Sequence, residues 1–449
     1  MVLVVLADSV FAFLFAWEAM SLVSFFLVIH HHRQDQVRRA GYIYLVMTHA
    51  STGFLLAGFL ALFAASGSLE FAALRASAAS LPPLTRDIVF LAALVAFGTK
   101  AGVIPLHVWL PRAHPAAPSH VSALMSGVMI KMGIYGLIRV GWELAAPGPA
   151  WWGALVLALG CVSAVLGVLY ALMEHDLKRL LAYHSVENIG IIMMGLGAAL
   201  LLSALGYPGA AALGLLAGLY HVLNHAVFKA LLFLGAGAVQ QSAGTRDLEK
   251  LGGLIRRMPW TAATFLVGSA AISALPPLNG FVSEWLTFQS LLALSAAGPG
   301  LAVGAVVAVG LLALTGGLAA FCFVKAFGIT FLGMPRSEKV GEAREVALSM
   351  RLAMVFLAAV CFALGLLPTF VAGLLAPVTM ALVGAAPPPS LGLGLLAAPP
   401  QDGTLAPLAL IGFLAVLFGL AMLLGRMIGG PGRSRVAPPW GCGIDLKPS

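Results

Sequence analysis

Lys100 and Lys131 each stand near the middle of a long apolar run, and no other feature constrains the fold of this chain as tightly. The stretch from Leu91 to Val140 holds both, with a short turn rich in proline and histidine between them. Counting from Asp87, Lys100 lies ~20 Å along one helix at 1.5 Å per residue, and counting from Ser119, Lys131 lies ~18 Å along the next. In a hydrocarbon slab ~30 Å thick, neither ammonium reaches water by snorkelling. A lysine at that depth costs ~2.5 to 3.5 kcal/mol on insertion scales, so two in consecutive spans require polar partners or a hydrated cavity supplied by other spans.

Composition settles the class. With 61% hydrophobic and 9% charged residues over 449 positions, and a mean hydropathy of +1.00, the chain reads as an all-α polytopic protein of the lipid bilayer. The excess of 25 Lys and Arg over 17 Asp and Glu is explained by basic loops at one membrane face, not by nucleic acid. Cys161, Cys322, Cys361 and Cys442 are scattered without a Cys-x-x-Cys pair, and no glycine-rich nucleotide fingerprint follows a strand. No metal, iron–sulfur cluster or other cofactor is therefore signalled within this chain.

The apolar runs predict about eleven spans, near 8–30, 41–66, 87–110, 119–141, 151–173, 179–203, 210–240, 259–296, 302–332, 352–384 and 405–428. Alternate connections are HHRQDQVRR (31–39), PRAHPAAP (111–118), EHDLKR (174–179), QSAGTRDLEKLGGLIRR (241–257), PRSEKVGEAR (335–344) and the tail with Arg433 and Arg435, and each carries Lys or Arg. The opposite loops carry almost none, apart from Arg75 and Arg86 between 67 and 86. The positive-inside rule places the basic set in the cytoplasm. We divide the chain into a helical core (1–335), C-terminal transmembrane helices (336–428) and a cytoplasmic tail (429–449). The apolar Met1–Ala7 has no basic n-region or cleavage site and reads as the tail of a preceding helix, and the last residues, PPWGCGIDLKPS, read as a chain cut short.

Two spans contain breakers. Gly102 and Pro105 follow Lys100 in the third, and Pro276, Pro277 and Gly280 precede Glu284 in the eighth. Proline removes a donor and clashes with the preceding turn, so both helices are expected to be discontinuous, with freed carbonyls facing protein or water. Either alone reads equally as a packing kink. Together they lie five spans apart, an odd shift that inverts topology, so spans one to four match spans six to nine as an inverted repeat, pairing Lys100 with Glu284 and Lys131 with Lys325. Inverted repeats with broken helices are a transporter signature.

Other polar groups sit at similar depth. Glu18 lies ten residues into the first span and His49 nine into the second. In the seventh, His221, His225 and Lys229 recur every four residues and share one helix face. One buried histidine is ordinarily a satisfied core residue, but three titratable groups on one apolar helix need a common polar surface. Metal binding by the same three is disfavoured because lysine is a poor ligand. The His30–His32 run reads as a solvated loop.

These residues carry a resemblance. FLFAWEAMSLVSFFLV, AFGTKAGVIPLHVWLPRAHPAAPSHVSALMSGVMIKMGIYGLIR, DLKRLLAYHSVENIG, YHVLNHAVFKALLFLGAGAV and SALPPLNGFVSEWL resemble the antiporter-like, proton-translocating membrane subunits. That family includes the large membrane-arm subunits of respiratory complex I, multisubunit Na⁺/H⁺ antiporters and the membrane subunits of group 4 [NiFe] hydrogenases; the likeness is greatest to hydrogenase-4 and formate hydrogenlyase. It covers residues 1–335 strongly and the rest loosely, and implies that 1–335 is an antiporter-like proton-translocation core.

The resemblance implies that Glu18, Lys100, Lys131 and Glu284 match the family's charged residues on the first, broken third, fourth and broken eighth of these spans. It implies that His221, His225 and Lys229 match the polar row linking two half-channels. Family members begin with about four further helices. Also implied are proton movement driven by electron transfer in partner subunits, partners that are membrane subunits together with soluble iron–sulfur and [NiFe] or NADH-dehydrogenase-type subunits, and a place in the cytoplasmic membrane. A multisubunit Na⁺/H⁺ antiporter subunit and a passive hydrogenase anchor are the alternatives. For the topology, a single cysteine placed at Ser242 is expected to react with an impermeant maleimide only from the cytoplasmic face, and one at Ser390 only from the outer face; labelling of position 242 in intact cells would refute this orientation.

Overall fold

The computed structural model describes residues 1–146, 148–387, 390–391, 394–396 and 404–429. The tail 430–449, with Arg433, Arg435 and Cys442, and most of the proline-rich 386–400 segment lie outside the described residues. Fourteen helices organise the rest: α1 (Val10–Val28), α2 (Asp35–Ser66), α3 (Pro83–Ala101), α4 (Leu110–Ala116), α5 (Ser119–Leu144), α6 (Ala150–Met173), α7 (Leu177–Ala204), α8 (Pro208–Ala243), α9 (Pro259–Ile272), α10 (Asn279–Ala296), α11 (Pro299–Phe331), α12 (Leu348–Leu366), α13 (Pro368–Val383) and α14 (Pro407–Gly429). A ribbon of three very short antiparallel strands, 390–391, 394–396 and 404–405, precedes α14.

Among the described residues, nine helices are long and apolar enough to cross a membrane unaided: α1, α2, α5, α6, α7, α8, α11, α12 and α14. The third and eighth spans are discontinuous, as expected: α3 stops at Gly102, in the left-handed region at φ 85°, before α4, and α9 stops at Ser273 before α10. The expected single span 352–384 is corrected to two helices. Pro368 has no N–H to continue α12, but its fixed φ suits the first position of a new helix, so α13 starts there.

Neighbour relations repeat along the chain: α1 packs on α2, α2 on α3 and α3 on α5, while α7 packs on α8, α8 on α9 and α10, and α10 on α11. The five basic loops come together at one end. His31, Gln34 and Val37 of one loop and Arg112, Pro118 and His120 of the next line a common cavity of ≈ 850 Å³, Arg246 pairs with Asp176, Arg336 donates to the Leu248 carbonyl (3.1 Å), and the Ser242 hydroxyl donates to the Arg344 carbonyl (2.5 Å). At the other end Arg75 faces Glu143 (3.4 Å) and the Trp152 indole donates to Asp87 (2.8 Å).

α7 is the most enclosed span, and its contact with α6 is set by glycine. Gly153, Gly160 and Gly167 of α6 and Gly190 and Gly197 of α7 recur every seven residues and interleave. A Cβ on Gly160 would meet the Met194 nitrogen at 2.8 Å, and one on Gly190 would meet the Ala164 nitrogen at 2.4 Å. Such approach, driven by van der Waals contact, is how helices associate in lipid. Gly160→Val and Gly190→Val are expected to cost ~1 to 3 kcal/mol each by overpacking, seen as a lower thermal midpoint in detergent. Gly304→Ala, which meets nothing within 4 Å, should hold or raise the midpoint.

Candidate proton-transfer site

Each broken helix leaves carbonyls and amides that the protein itself satisfies. At the first break the Trp109 indole N–H donates to the Thr99 carbonyl (2.8 Å), the Ile104 amide donates to Ser163 Oγ (3.1 Å), and the Ser122 hydroxyl donates to the His114 carbonyl (2.9 Å). At the second, the Asn224 side-chain amide donates to the Asn279 carbonyl (2.7 Å) and to Ser283 Oγ (2.8 Å). Gly365 of α12 lies against this turn, its missing Cβ 2.2 Å from the Pro277 carbonyl.

Lys100 is wholly buried at the end of α3. Its ammonium donates to Ser21 Oγ (2.9 Å) and to the Tyr44 hydroxyl (3.2 Å), and lies 5.6 and 5.4 Å from the Trp17 and Tyr44 ring centres, so neutral dipoles and ring faces replace water. Among the described residues no hydrogen bond or close ion pair joins Lys100 to Glu18: one turn from Ser21, Glu18 accepts from the Thr52 hydroxyl and faces His49 at 3.5 Å, on α2.

Lys131 sits between two wide π-helical turns of α5, Met125–Met129 and Arg139–Leu144. The first brings the Ser126 carbonyl within reach of the Lys131 ammonium, which also contacts His225 Nδ1. Gly133 and Gly136 bring α5 against Phe97 of α3, where a Cβ would come within 2.4 and 2.2 Å. Among the described residues no hydrogen bond joins Lys100 to Lys131; the Tyr44 hydroxyl that Lys100 meets donates to Met129 Sδ of α5 at 3.7 Å.

The row on α8 is internal, with His221, His225 and Lys229 each no more than 1% exposed. The two imidazoles lie parallel, 6.5 Å apart, and His221 is joined to Ser283 Oγ (2.9 Å) and Asn188 Oδ1 (3.1 Å). Lys229 donates to the Leu181 carbonyl on α7. Ser283 adjoins Glu284, which is 5% exposed and faces Gly316 of α11, 3.6 Å from where a Cβ there would stand. Hydrogen bonds thus run from Lys131 through His225 and, after the gap between the two rings, from His221 to the neighbour of Glu284.

Lys325 lies apart from this row. Near the basic end of α11, it donates to the Leu172 (2.8 Å) and Glu174 (3.1 Å) carbonyls that end α6. There, partial burial raises the Glu174 carboxyl above its ordinary range, against the pull of Arg179 at 3.1 Å. Lys178, placed by the sequence in the basic connection 174–179, is buried: Asp176 caps α7 through the amides of Lys178 and Arg179, turning the Lys178 side chain inward onto the Ala117 carbonyl.

Three polar residues of α7 escaped the sequence reading: His184, Glu187 and Asn188, all buried. The i, i+3 spacing of a histidine and a glutamate inside an apolar helix is a usable signal. His114 is likewise buried, stacked on Phe233 at 4.8 Å, with both ring nitrogens lacking a protein partner.

Over 376 residues the chain is 52% identical to hydrogenase-4 component B of Escherichia coli (strain K12), covering 83% of this chain and 55% of that protein's length. Formate hydrogenlyase subunit 3 of the same strain is 39% identical over 450 residues, covering 99% and 70%. A chain in the structure of the membrane-bound sulfane sulfur reductase, an archaeal respiratory membrane complex, superposes with a TM-score of 0.83 at 26% identity, covering 98% of this chain and 69% of that one. With residues 7–312 matching its description, the chain belongs to the transmembrane family of the NADH:quinone oxidoreductases and Mrp antiporters.

Proposed function

We propose that this chain is the proton-translocating membrane subunit of a multisubunit oxidoreductase of the hydrogenase-4, formate hydrogenlyase or NADH:quinone oxidoreductase type. It sits in the cytoplasmic membrane with its basic loops inward. Electrons move through iron–sulfur and [NiFe] or NADH-dehydrogenase-type partner subunits, and the energy released moves protons through this chain. The observation that carries the reading is the buried row Lys131–His225–His221–Ser283, ending beside Glu284 and lying between two interrupted helices. Buried ionisable groups in membrane helices are costly, and a relay repays that cost where a passive anchor would not.

In this reading Lys100 is the gate of the row. Held by Ser21 and Tyr44 it is separated from Glu18, and a change relayed from neighbouring subunits that closes the Glu18–Lys100 pair alters which of them keeps a proton. Lys131, His225, His221 and Lys229 then pass protons toward Glu284, while Lys325 holds the end of α6.

Lys229→Ala is expected to lower proton translocation per electron about a hundredfold, the scale of a lost acid–base group, with the complex still assembled. Dye-reported proton uptake in inverted vesicles measures it, and normal pumping with poor assembly would assign Lys229 to packing. Lys100→Arg keeps the charge but releases a proton far less readily, so it too should fail to pump; full pumping would mean that Lys100 supplies only field or structure. Proton uptake that requires Na⁺ would favour the antiporter reading.

A further inference from the structure

The row leaves one buried acid–base pair unexplained. His184 and Glu187 lie one turn apart on α7, 0% and 1% exposed, joined through His184 Nδ1 and Glu187 Oε2. Their position is defined by what lies on either side along the same helix. Leu181, one turn before His184, offers the carbonyl that receives the Lys229 ammonium, and Asn188, the residue after Glu187, is bonded to His221. The seven residues from 181 to 188 rise ~10 Å, so the pair occupies the stretch of α7 between the contacts of Lys229 and of His221. Its surroundings are otherwise apolar or weakly polar: the Phe323 ring of α11 lies 4.6 Å from His184, and Gly167 of α6 backs Glu187 so closely that a Cβ would reach its nitrogen at 2.6 Å. His184 Nε2 is buried with no protein partner. A carboxylate held this deep interacts with both Lys229 and Glu284 through a medium that screens poorly.

We propose that the His184–Glu187 pair is a proton-loading site that couples Lys229 to Glu284. This deepens the translocation reading above and rests on it. The pair holds one exchangeable proton, shared between imidazole and carboxyl, and its net charge is zero when loaded and minus one when empty. The Lys229 ammonium passes its proton to the empty pair, leaving a neutral amine beside a neutral pair. The loaded pair passes the proton on to the Glu284 carboxylate, through the His221–Ser283 contact or intervening water, and returns to minus one, which draws the next proton onto Lys229. Two carboxylates in one poorly screened region are not ionised together at low cost, so an empty Glu187 also favours the protonated form of Glu284.

The test uses the assembled complex in inverted vesicles, turning over on its own electron donor, with proton uptake and electron flux measured together. Glu187→Gln keeps shape and hydrogen bonding but cannot carry the proton, and is expected to lower translocation per electron about a hundredfold, while Glu187→Asp restores most of it. His184→Gln, which retains the carboxyl, should fail in the same way and serves as the readout if Glu187→Gln does not assemble. If Glu187→Gln or His184→Gln pumps at the wild-type ratio while Lys229→Ala does not, the pair is structural and this proposal is overturned with the translocation reading intact. Wild-type pumping by Lys229→Ala as well would overturn both.

Discussion

A helix that stops inside a membrane leaves carbonyls and amides where no lipid can satisfy them, and much of this structure is arranged around two such stops. Trp109 and Ser163 take groups freed near Pro105, Ser122 takes the His114 carbonyl four residues before Pro118, and Asn224 bonds the Asn279 carbonyl two residues past Pro277. The same residues also hold ionisable neighbours. Asn224 holds Ser283, Ser283 holds His221, and Lys100 ends the helix whose last turn Trp109 closes. Repair of the backbone at the interruptions and placement of Lys100 and His221 are therefore parts of one network.

Much of this was legible in the sequence because the signals are local. Lys100, Lys131, Glu284 and the four-residue spacing of His221, His225 and Lys229 announce themselves against an apolar background, and the prolines mark both breaks. Which side chains meet is less legible, because it depends on neighbours from distant spans. Glu18 and Lys100 have matching charge and depth, yet Ser21 and Tyr44 satisfy the lysine while His49 and Thr52 take the glutamate. Lys325, matched to Lys131 by repeat register, instead bonds the open carbonyls at the end of α6. Lys178 shows the same limit from the other direction: the Asp176 cap turns an apparent loop lysine into an internal one.

His184 and Glu187 were overlooked for a related reason. Their spacing of three is visible in the sequence, but only the enclosure of α7 by its neighbours makes a polar pair on it consequential. The glycine seam with α6 brings that enclosure about, pressing two backbones together so that α7 presents nearly every face to protein.

The direction of the row on α8 has an electrical consequence. From His221 to Lys229 is eight residues, ~12 Å along a helix that runs across the bilayer, or roughly two fifths of a hydrocarbon layer ~30 Å thick. A unit charge displaced that far moves through a comparable fraction of the membrane potential, worth ~0.9 kcal/mol for each 100 mV. Under the proposed function, proton passage along α8 is thus an electrogenic step in its own right, with an equilibrium that shifts about fivefold for every 100 mV across the membrane.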